Sequence, residues 1–163
     1  MQAKEIKILV SEYESLEELI TTDRELVVAA REIAQNAYAP YSGFKVGAAL
    51  LMEDGSIVCG NNQENASSPV GICAERTALF WANANFPEKA VKAIAVTAID
   101  QSGSRAINLS PCGACRQVLL ETQHRFSQPI RILLDSREKI EVLQDADSLL
   151  PLSFNGNSLK AGV

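Results

Sequence analysis

The sequence is poor in histidine, aromatic residues and positive charge, and it has no long apolar run. Its 163 residues include one histidine, 6% aromatic residues and 15 basic against 20 acidic side chains, for a formal net charge of −5. An acidic chain without a basic arm is a poor partner for the phosphate backbone of nucleic acids. The apolar stretches are all far shorter than the roughly 20 residues that a membrane-spanning helix needs. We therefore predict no nucleic-acid partner and no membrane segment.

Size and cysteine usage further restrict the kind of protein and the compartment in which it works. With 47% hydrophobic and 21% charged residues, the chain suits one globular domain with a real core. The apolar patch at residues 6–10 is too short and too interrupted for a signal peptide. Four cysteines, three of them at metal-ligand spacing, are typical of a reducing compartment. We expect a cytoplasmic protein.

Three cysteines are placed to bind a metal ion together. Cys73, Cys112 and Cys115 each precede or open an apolar run with helical spacing, so each is predicted at a helix N-terminus. The free N–H groups and the positive dipole end of a helix start stabilise thiolates. Thiolates suit zinc, and three protein ligands leave the fourth tetrahedral position open for water. The sequence therefore predicts a catalytic zinc site.

Two neighbours of Cys73 carry the remaining chemistry. Glu75 lies on a different side of an ideal helix from Cys73, so it is a poor fourth ligand but could cover the open position and act as the base. Arg76 shares the face of Cys73 and could donate hydrogen bonds to the cysteine sulfurs, offsetting their negative charge. The residues alone also allow plainer roles, a helix-dipole contact for Glu75 and a surface ion pair for Arg76.

Other interpretations of the cysteines stay open at this point. The pair Cys112 and Cys115 alone is also typical of a thioredoxin-like redox motif. A structural zinc needs a fourth ligand, for which Cys59 could be proposed. Cys59 falls inside a predicted hairpin strand and fits a small buried hydrophobe, and His124 lies late in a helix, away from the ligand motifs.

Four segments of the sequence form a distinctive set. They read Ala-Pro-Tyr-Ser-Gly-Phe-Lys-Val-Gly-Ala-Ala at 39–49, Asn-Gln-Glu-Asn-Ala-Ser at 62–67, Cys-Ala-Glu-Arg at 73–76 and Pro-Cys-Gly-Ala-Cys-Arg-Gln-Val at 111–118. In these segments the sequence resembles the cytidine deaminase family. The resemblance extends from about Asp23 to Phe154. It implies zinc-dependent hydrolytic deamination of cytidine and deoxycytidine to uridine and deoxyuridine, in pyrimidine salvage, with Glu75 as the catalytic acid and base.

The resemblance also implies the substrate contacts. Asn62 and Glu64 match the residues that hold the ribose, and Phe44, with Val46 on the same face, matches the aromatic residue that stacks on the pyrimidine. Ala74 matches a residue whose backbone amide binds the base. Without the resemblance, these positions would be interpreted as a polar strand end and as core packing.

Assembly as a homotetramer is a further implication. Phe154 looks like the family's C-terminal phenylalanine, which reaches into a neighbouring subunit's site. It follows Pro151 and precedes a polar tail, so little of its own chain remains to bury it. Ser68 stands where many relatives carry a tyrosine that is offered to a neighbour, so one contact between subunits is absent or replaced.

The order of elements predicts the architecture. Strands alternating with helices indicate an α/β domain, and the resemblance implies a three-layer α-β-α sandwich with a mixed five-stranded sheet. We expect an N-terminal extension at 1–22, with a short strand near residues 5–10, a catalytic domain at 23–154 and a C-terminal tail at 155–163.

Three rival functions remain. A deaminase of an aminonucleoside analogue such as blasticidin S would use the same zinc chemistry, but Asn62 and Glu64 favour an ordinary nucleoside. A nucleic-acid editing deaminase is disfavoured by the acidic charge. A zinc-stabilised binding module without turnover is disfavoured by the open coordination position and Glu75.

Overall fold

The computed structural model describes residues 1–156 and 159. The strands are β1 (Ser11–Tyr13), β2 (Lys45–Met52), β3 (Ile57–Asn61), β4 (Val91–Ile99), β5 (Arg131–Asp135) and β6 (Ile140–Leu143). The α-helices are α1 (Thr21–Ala34), α2 (Ala74–Asn85) and α3 (Gly113–Phe126), and single 3₁₀ turns form at Leu16–Glu18, Ser68–Val70 and Asp147–Leu149. In this described part of the chain, none of the helices is long and apolar enough to cross a membrane.

The six strands form one mixed sheet in the order β1-β6-β5-β4-β2-β3. β4 and β5 run parallel, and every other neighbouring pair is antiparallel. The parallel pair is joined through α3, which begins beyond the carboxyl end of β4. The predicted α/β class and the mixed sheet are confirmed.

The sheet has six strands, so the expectation of five was wrong. The additional strand is β1, from the N-terminal extension, which pairs with β6 through Ser11 opposite Val142 and Tyr13 opposite Ile140. The strand predicted near residues 5–10 does not form. The register explains this: β6 ends at Leu143, opposite residue 10, so earlier residues have no backbone partner to bond.

Each face of the sheet carries its own apolar cluster. Ile94 and Val96 of β4 belong to the cluster that includes buried side chains of α2 and α3. Ala93 and Ala95, on the opposite face, belong to the cluster that includes buried side chains of α1. The two helices that carry the predicted metal ligands therefore lie together on one face.

Two glycines let helices approach the sheet closely. A Cβ atom on Gly60 of β3 would lie 2.5 Å from the backbone nitrogen of Ala78 in α2. One on Gly47 of β2 would lie 2.1 Å from the carbonyl oxygen of Ala30 in α1. No side chain fits at either position. The close packing of α2 on the sheet, and therefore the position of its N-terminus, depends on the absence of a side chain at Gly60.

A buried charge cluster closes the α1 face at the carboxyl end of β5. The carboxylate of Asp135 is fully buried and accepts hydrogen bonds from Nε and Nη2 of Arg31, both at 2.7 Å. It also accepts from Nη1 of Arg105 at 2.6 Å and from the hydroxyl of Thr97 at 2.8 Å. One carboxylate thus holds α1, β4 and the loop after β4 to β5.

The C-terminal stretch follows β6 through the 3₁₀ turn Asp147–Leu149 and Pro151. Of the tail predicted at 155–163, residues 157, 158 and 160–163 lie outside the described residues.

Candidate metal centre and adjoining cleft

The starts of α2 and α3 bring three thiols together. Cys73 precedes the first residue of α2, Cys112 precedes the first residue of α3, and Cys115 lies in the first turn of α3. The sulfur of Cys112 is 3.9 Å from that of Cys73 and 3.5 Å from that of Cys115, and all three sulfurs lie within 4.8 Å of one another. Tetrahedral zinc requires sulfurs about 3.8 Å apart. The predicted grouping fits three of the four corners of such a site.

The electrostatics of the cluster also fit a cation. Cys115 is fully buried. Burial is the main cause that raises the pKa of its thiol, and the negative charge of the nearby Glu75 carboxylate raises it further. Burial opposes ionisation of Cys112 as well, but hydrogen bonds with Cys115 and Cys73 together outweigh it and lower the pKa of Cys112. A coordinated metal ion holds thiols deprotonated and offsets the crowded negative charge.

Arg76 contacts this cluster directly. Its Nη2 donates to the sulfur of Cys73 at 3.6 Å, and this hydrogen bond raises the pKa of Arg76. The guanidinium group, carried by the first turn of α2, therefore places a positive charge beside the three thiols.

Glu75 is buried beside the thiols. It is 4% exposed, lies in the first turn of α2 and interacts with the thiol of Cys115. Burial raises the pKa of its carboxyl group, against smaller opposing contributions from hydrogen bonds. Within the described residues, the group that could hold a metal consists of the three cysteines without Glu75.

Neither Cys59 nor His124 joins the cluster. Cys59 is an exposed free thiol on β3, not the small buried hydrophobe we expected. His124 lies late in α3, where its Nε2 is 3.3 Å from a carboxylate oxygen of Asp147. The addition of Cys73 to the pair in α3 favours metal binding over a two-cysteine redox motif.

A cleft of about 370 Å³ adjoins Cys73. Its wall includes Tyr41, Asn62, Glu64 and Ser68. The wall is closed by Gln63 and Ile72, whose backbones exchange two hydrogen bonds of 3.0 Å across the loop between them. A cleft of this size lies within the range of small-molecule sites.

Asn62 extends the β2–β3 ladder at the edge of the cleft. Its carboxamide oxygen accepts the backbone N–H of Val46 at 2.7 Å, and its carboxamide nitrogen donates to the carbonyl of Phe44 at 2.9 Å. Asn62, which is predicted to contact the ribose, thus holds the backbone of Phe44 and Val46, which are predicted to contact the base.

Glu64 holds the preceding turn. Its Oε2 accepts the backbone N–H groups of Tyr41 at 2.9 Å and of Ser42 at 3.3 Å. Hydrogen bonds from the Ser42 side chain and the Tyr41 backbone lower the pKa of Glu64. The carboxylate stays charged, which suits a site that accepts hydroxyl groups.

The structure brings some predicted residues together and leaves others apart. Asn62, Glu64 and Cys73 share the cleft wall. Ala74 is fully buried at the start of α2, and Phe154 is exposed. Sequence reasoning gave no role to Tyr41, Gln63, Asn65 or Ile72, which also line the cleft. Tyr41, Gln63 and Asn65 lie within the segments that carry the family resemblance, and nothing else in the sequence indicates that they line a cleft.

The family model described as "Cytidine and deoxycytidylate deaminase zinc-binding region" matches residues 20–127, a range that holds all three cysteines and the residues that line the cleft. The chain belongs to this deaminase family. The zinc-binding region of the family therefore coincides with the thiol cluster, and zinc is the cofactor of this deaminase.

Named relatives agree with the family assignment. The deaminase chain is 49% identical to the cytidine deaminase of Halalkalibacterium halodurans over 100 residues, which cover 61% of this chain and 71% of that one. It is 42% identical to the cytidine deaminase of Mycobacterium tuberculosis over 130 residues, covering 80% and 87% of the two chains. The crystal structure of the cytidine deaminase from Burkholderia pseudomallei aligns with a TM-score of 0.66 at 39% identity, covering 80% of this chain and 97% of that one.

Proposed function

We propose that this deaminase is a hydrolase that converts cytidine and deoxycytidine to uridine and deoxyuridine, with release of ammonia, in pyrimidine salvage. The observation that carries the proposal is the buried Glu75 carboxyl group beside three thiols at the starts of α2 and α3. The substrate class is supported by the named cytidine deaminases among the relatives.

Cys73, Cys112 and Cys115 are the residues that hold the zinc ion. Bound there, zinc supplies Lewis-acid activation of a water molecule at neutral pH. The role of Arg76 is to offset the charge of the three thiolates, and its hydrogen bond to the sulfur of Cys73 supports that role.

Glu75 moves the protons of the reaction. It accepts a proton from the attacking water while the water oxygen bonds to C4 of the pyrimidine, and it delivers that proton to N3. It then carries the second proton, from the new C4 hydroxyl group, to the exocyclic amine, which leaves as ammonia. The raised pKa of the buried carboxyl group supports this shuttle, because the group must hold a proton between transfers.

The nucleoside is bound by two residues of the cleft wall and by three residues next to it. Phe44 stacks on the pyrimidine with Val46 on the same face, and the backbone amide of Ala74 binds the base. Asn62 and Glu64 bind the ribose. Their hydrogen bonds to the backbone leave capacity for this contact, because a carboxamide has a second N–H and a carboxylate a second oxygen.

We propose a cytoplasmic homotetramer in which Phe154 completes a neighbouring subunit's site. The exposure of large apolar side chains on α2 and at the C-terminal stretch supports an interface: Phe80, Trp81 and Phe154 are 48%, 51% and 62% exposed. We assign residues 23–154 to the catalytic domain, a three-layer sandwich, with the extension at 1–22 and the tail at 155–163. The apolar clusters on both faces of the sheet support the layering.

An absorbance assay on the zinc-loaded protein tests the proposal. We expect turnover of free cytidine and deoxycytidine and none of a cytosine-containing oligonucleotide, since the chain carries a net charge of −5. Turnover of blasticidin S alone would assign the site to an aminonucleoside analogue. Zinc retention without turnover of any of these compounds would indicate a binding module.

A further inference from the structure

Arg116 contacts two separate parts of the chain near the metal centre. It follows Cys115 in α3, and its Nε donates to the carbonyl of Pro111 at 2.8 Å. Its Nη2 donates to the hydroxyl of Ser110 at 2.6 Å, and its Nη1 donates to the carbonyl of Leu149 at 3.1 Å. One guanidinium therefore joins the loop that leads into α3 to the 3₁₀ turn that begins the C-terminal stretch.

The next residue of α3 holds the far end of that stretch. The carboxamide nitrogen of Gln117 donates to the carbonyl of Phe154 at 2.9 Å. The residues between Leu149 and Phe154 form no helix or strand, and Pro151 among them has no N–H to donate. The placement of residues 149–154, called here the C-terminal strap, therefore depends on its two attachments to α3.

The geometry points to Arg116 as a positioning residue that fixes the Cys112 ligand and the C-terminal strap as one unit. This inference rests on the proposed function, in which Cys112 holds zinc. Pro111 is buried and its carbonyl belongs to the rigid peptide unit that leads into Cys112, so the hydrogen bond from Arg116 restricts where the Cys112 sulfur can point. Leu149, also buried, uses the other side of the same guanidinium.

The chemistry of the side chain suits this shared role. Arginine presents five N–H donors in a fixed planar fork, so it can satisfy three acceptors in different directions at once. Lysine has a single nitrogen and reaches fewer of them. A displacement of the strap therefore shifts the guanidinium that supports the Cys112 loop, and loss of the metal loosens the strap in return.

Two variants of Arg116 test the coupling. Arg116→Met keeps the apolar stem and removes every donor, and Arg116→Lys keeps the charge without the fork. The first readout is the absorption spectrum of the Co²⁺-substituted protein, which reports the thiolate geometry, with the rate of metal transfer to a chelator. The second is hydrogen exchange of residues 147–156 relative to β4. Neither readout needs a substrate, so failure of the proposed activity is distinguishable from failure of this inference.

We expect Arg116→Met to change both regions together. Metal transfer should become faster by about 10-fold to 100-fold, the range seen for residues that support metal ligands, and exchange in the strap should rise. Arg116→Lys should show the same paired change at a smaller size. Arg125→Met is the matched control: Arg125 also lies on α3 and donates to a carbonyl, that of Pro87 at 2.8 Å, away from the thiols, so both readouts should stay at wild-type values.

Gln117→Leu separates the two attachments. It should raise exchange near Phe154 and leave the rate of metal transfer unchanged, because the contact of Arg116 with Leu149 remains. The inference is overturned if Arg116→Met destabilises the whole domain while the Co²⁺ spectrum and the relative exchange of the strap stay native. It is also overturned if Arg116→Met changes only one of the two regions. Should Arg116→Met fail to fold, wild-type readouts in Arg116→Lys overturn the inference and the paired change supports it.

Discussion

Asn62 and Val46 are bonded to each other twice, beyond the last residue pair of the β2–β3 ladder. The carboxamide oxygen of Asn62 accepts the N–H of Val46 at 2.7 Å, and the N–H of Asn62 donates to the carbonyl of Val46 at 3.2 Å. The side chain thus replaces a backbone acceptor where β3 ends at Asn61. The same carboxamide donates to the carbonyl of Phe44, so one side chain of the cleft wall holds the backbone of two residues at the start of β2.

Asn62→Ala should raise KM for the nucleoside more than it lowers kcat, because Phe44 and Val46 lose their support. Leaving the N–H of Val46 unpaired should also lower the free energy of unfolding by about 1–3 kcal/mol. Steady-state kinetics and urea denaturation measure the two effects. The control is Asn83→Ala, whose side chain donates to the hydroxyl of Thr122 and does not line the cleft, and which should leave KM unchanged. Equal KM values in the two variants would contradict the supporting role of Asn62.

Cys112→Ala should abolish stoichiometric zinc binding, because two thiolates and water hold the ion far less tightly than three thiolates. Elemental analysis of the purified protein should give one zinc per chain for the wild type and almost none for the variant. Cys59→Ala removes the free thiol that lies outside the cluster, so it should keep one zinc per chain. Full zinc content in Cys112→Ala would exclude the three-thiol site.

Glu75→Gln should keep zinc and fold and lower kcat by about 10²–10⁴-fold, because the carboxamide matches the shape of the carboxyl group and cannot shuttle a proton. Activity and zinc content are measured on the same preparation. Glu121→Gln makes the same change at an exposed position of α3 and should leave kcat unaltered. Turnover within a few-fold of wild type in Glu75→Gln would remove Glu75 from the mechanism.

Asp135→Asn should lower the free energy of unfolding by about 3 kcal/mol, because two guanidinium groups lose their shared counter-ion. The lower end of the usual range is expected, since Arg31 and Arg105 keep 31% and 34% of their side-chain surface in water. Urea denaturation followed by circular dichroism measures the change. Asp54→Asn, in an exposed pair with Lys89, should shift the midpoint far less. Similar shifts of the denaturation midpoint in both variants would show that the buried Asp135 contributes no more to stability than the exposed Asp54.

Phe154→Ala should raise KM and leave the zinc content unchanged, because the proposed contact of Phe154 is with a nucleoside in a neighbouring subunit. Kinetics are combined with analytical ultracentrifugation, which should give a tetramer for the wild type. Leu152→Ala, at a still more exposed position nearby, is the control and should leave KM unchanged. An active wild-type monomer, or unaltered kinetics in Phe154→Ala, would refute the contact between subunits.

The thiol cluster was predictable because it is encoded locally. Cys112 and Cys115 are three residues apart at a helix start, and Cys73 opens a second helix, so spacing alone placed all three where dipoles and free N–H groups favour thiolates. Strand formation is also favoured by local composition in β4, because Val91–Ile99 is rich in alanine and in the β-branched residues that suit a strand.

What sequence reasoning missed depends on partners distant in the chain. β1 has only three residues and weaker strand propensity than residues 5–10, yet it is the segment that lies opposite β6. The use of the Asn62 carboxamide to hold Phe44 and Val46 follows from where β3 ends, which no local pattern indicates. The three acceptors of Arg116 likewise come together only in the folded chain.

The pairing of β1 with β6 also has a consequence for folding kinetics. β1 precedes every other element and β6 follows all three α-helices, so their contact has one of the highest sequence separations in the sheet. Closing so long a loop costs chain entropy before the contacts between β1 and β6 can offset it. We therefore expect the β1 edge to be completed after the β2–β3 hairpin has formed, and β6 to present an unprotected edge to other chains until then.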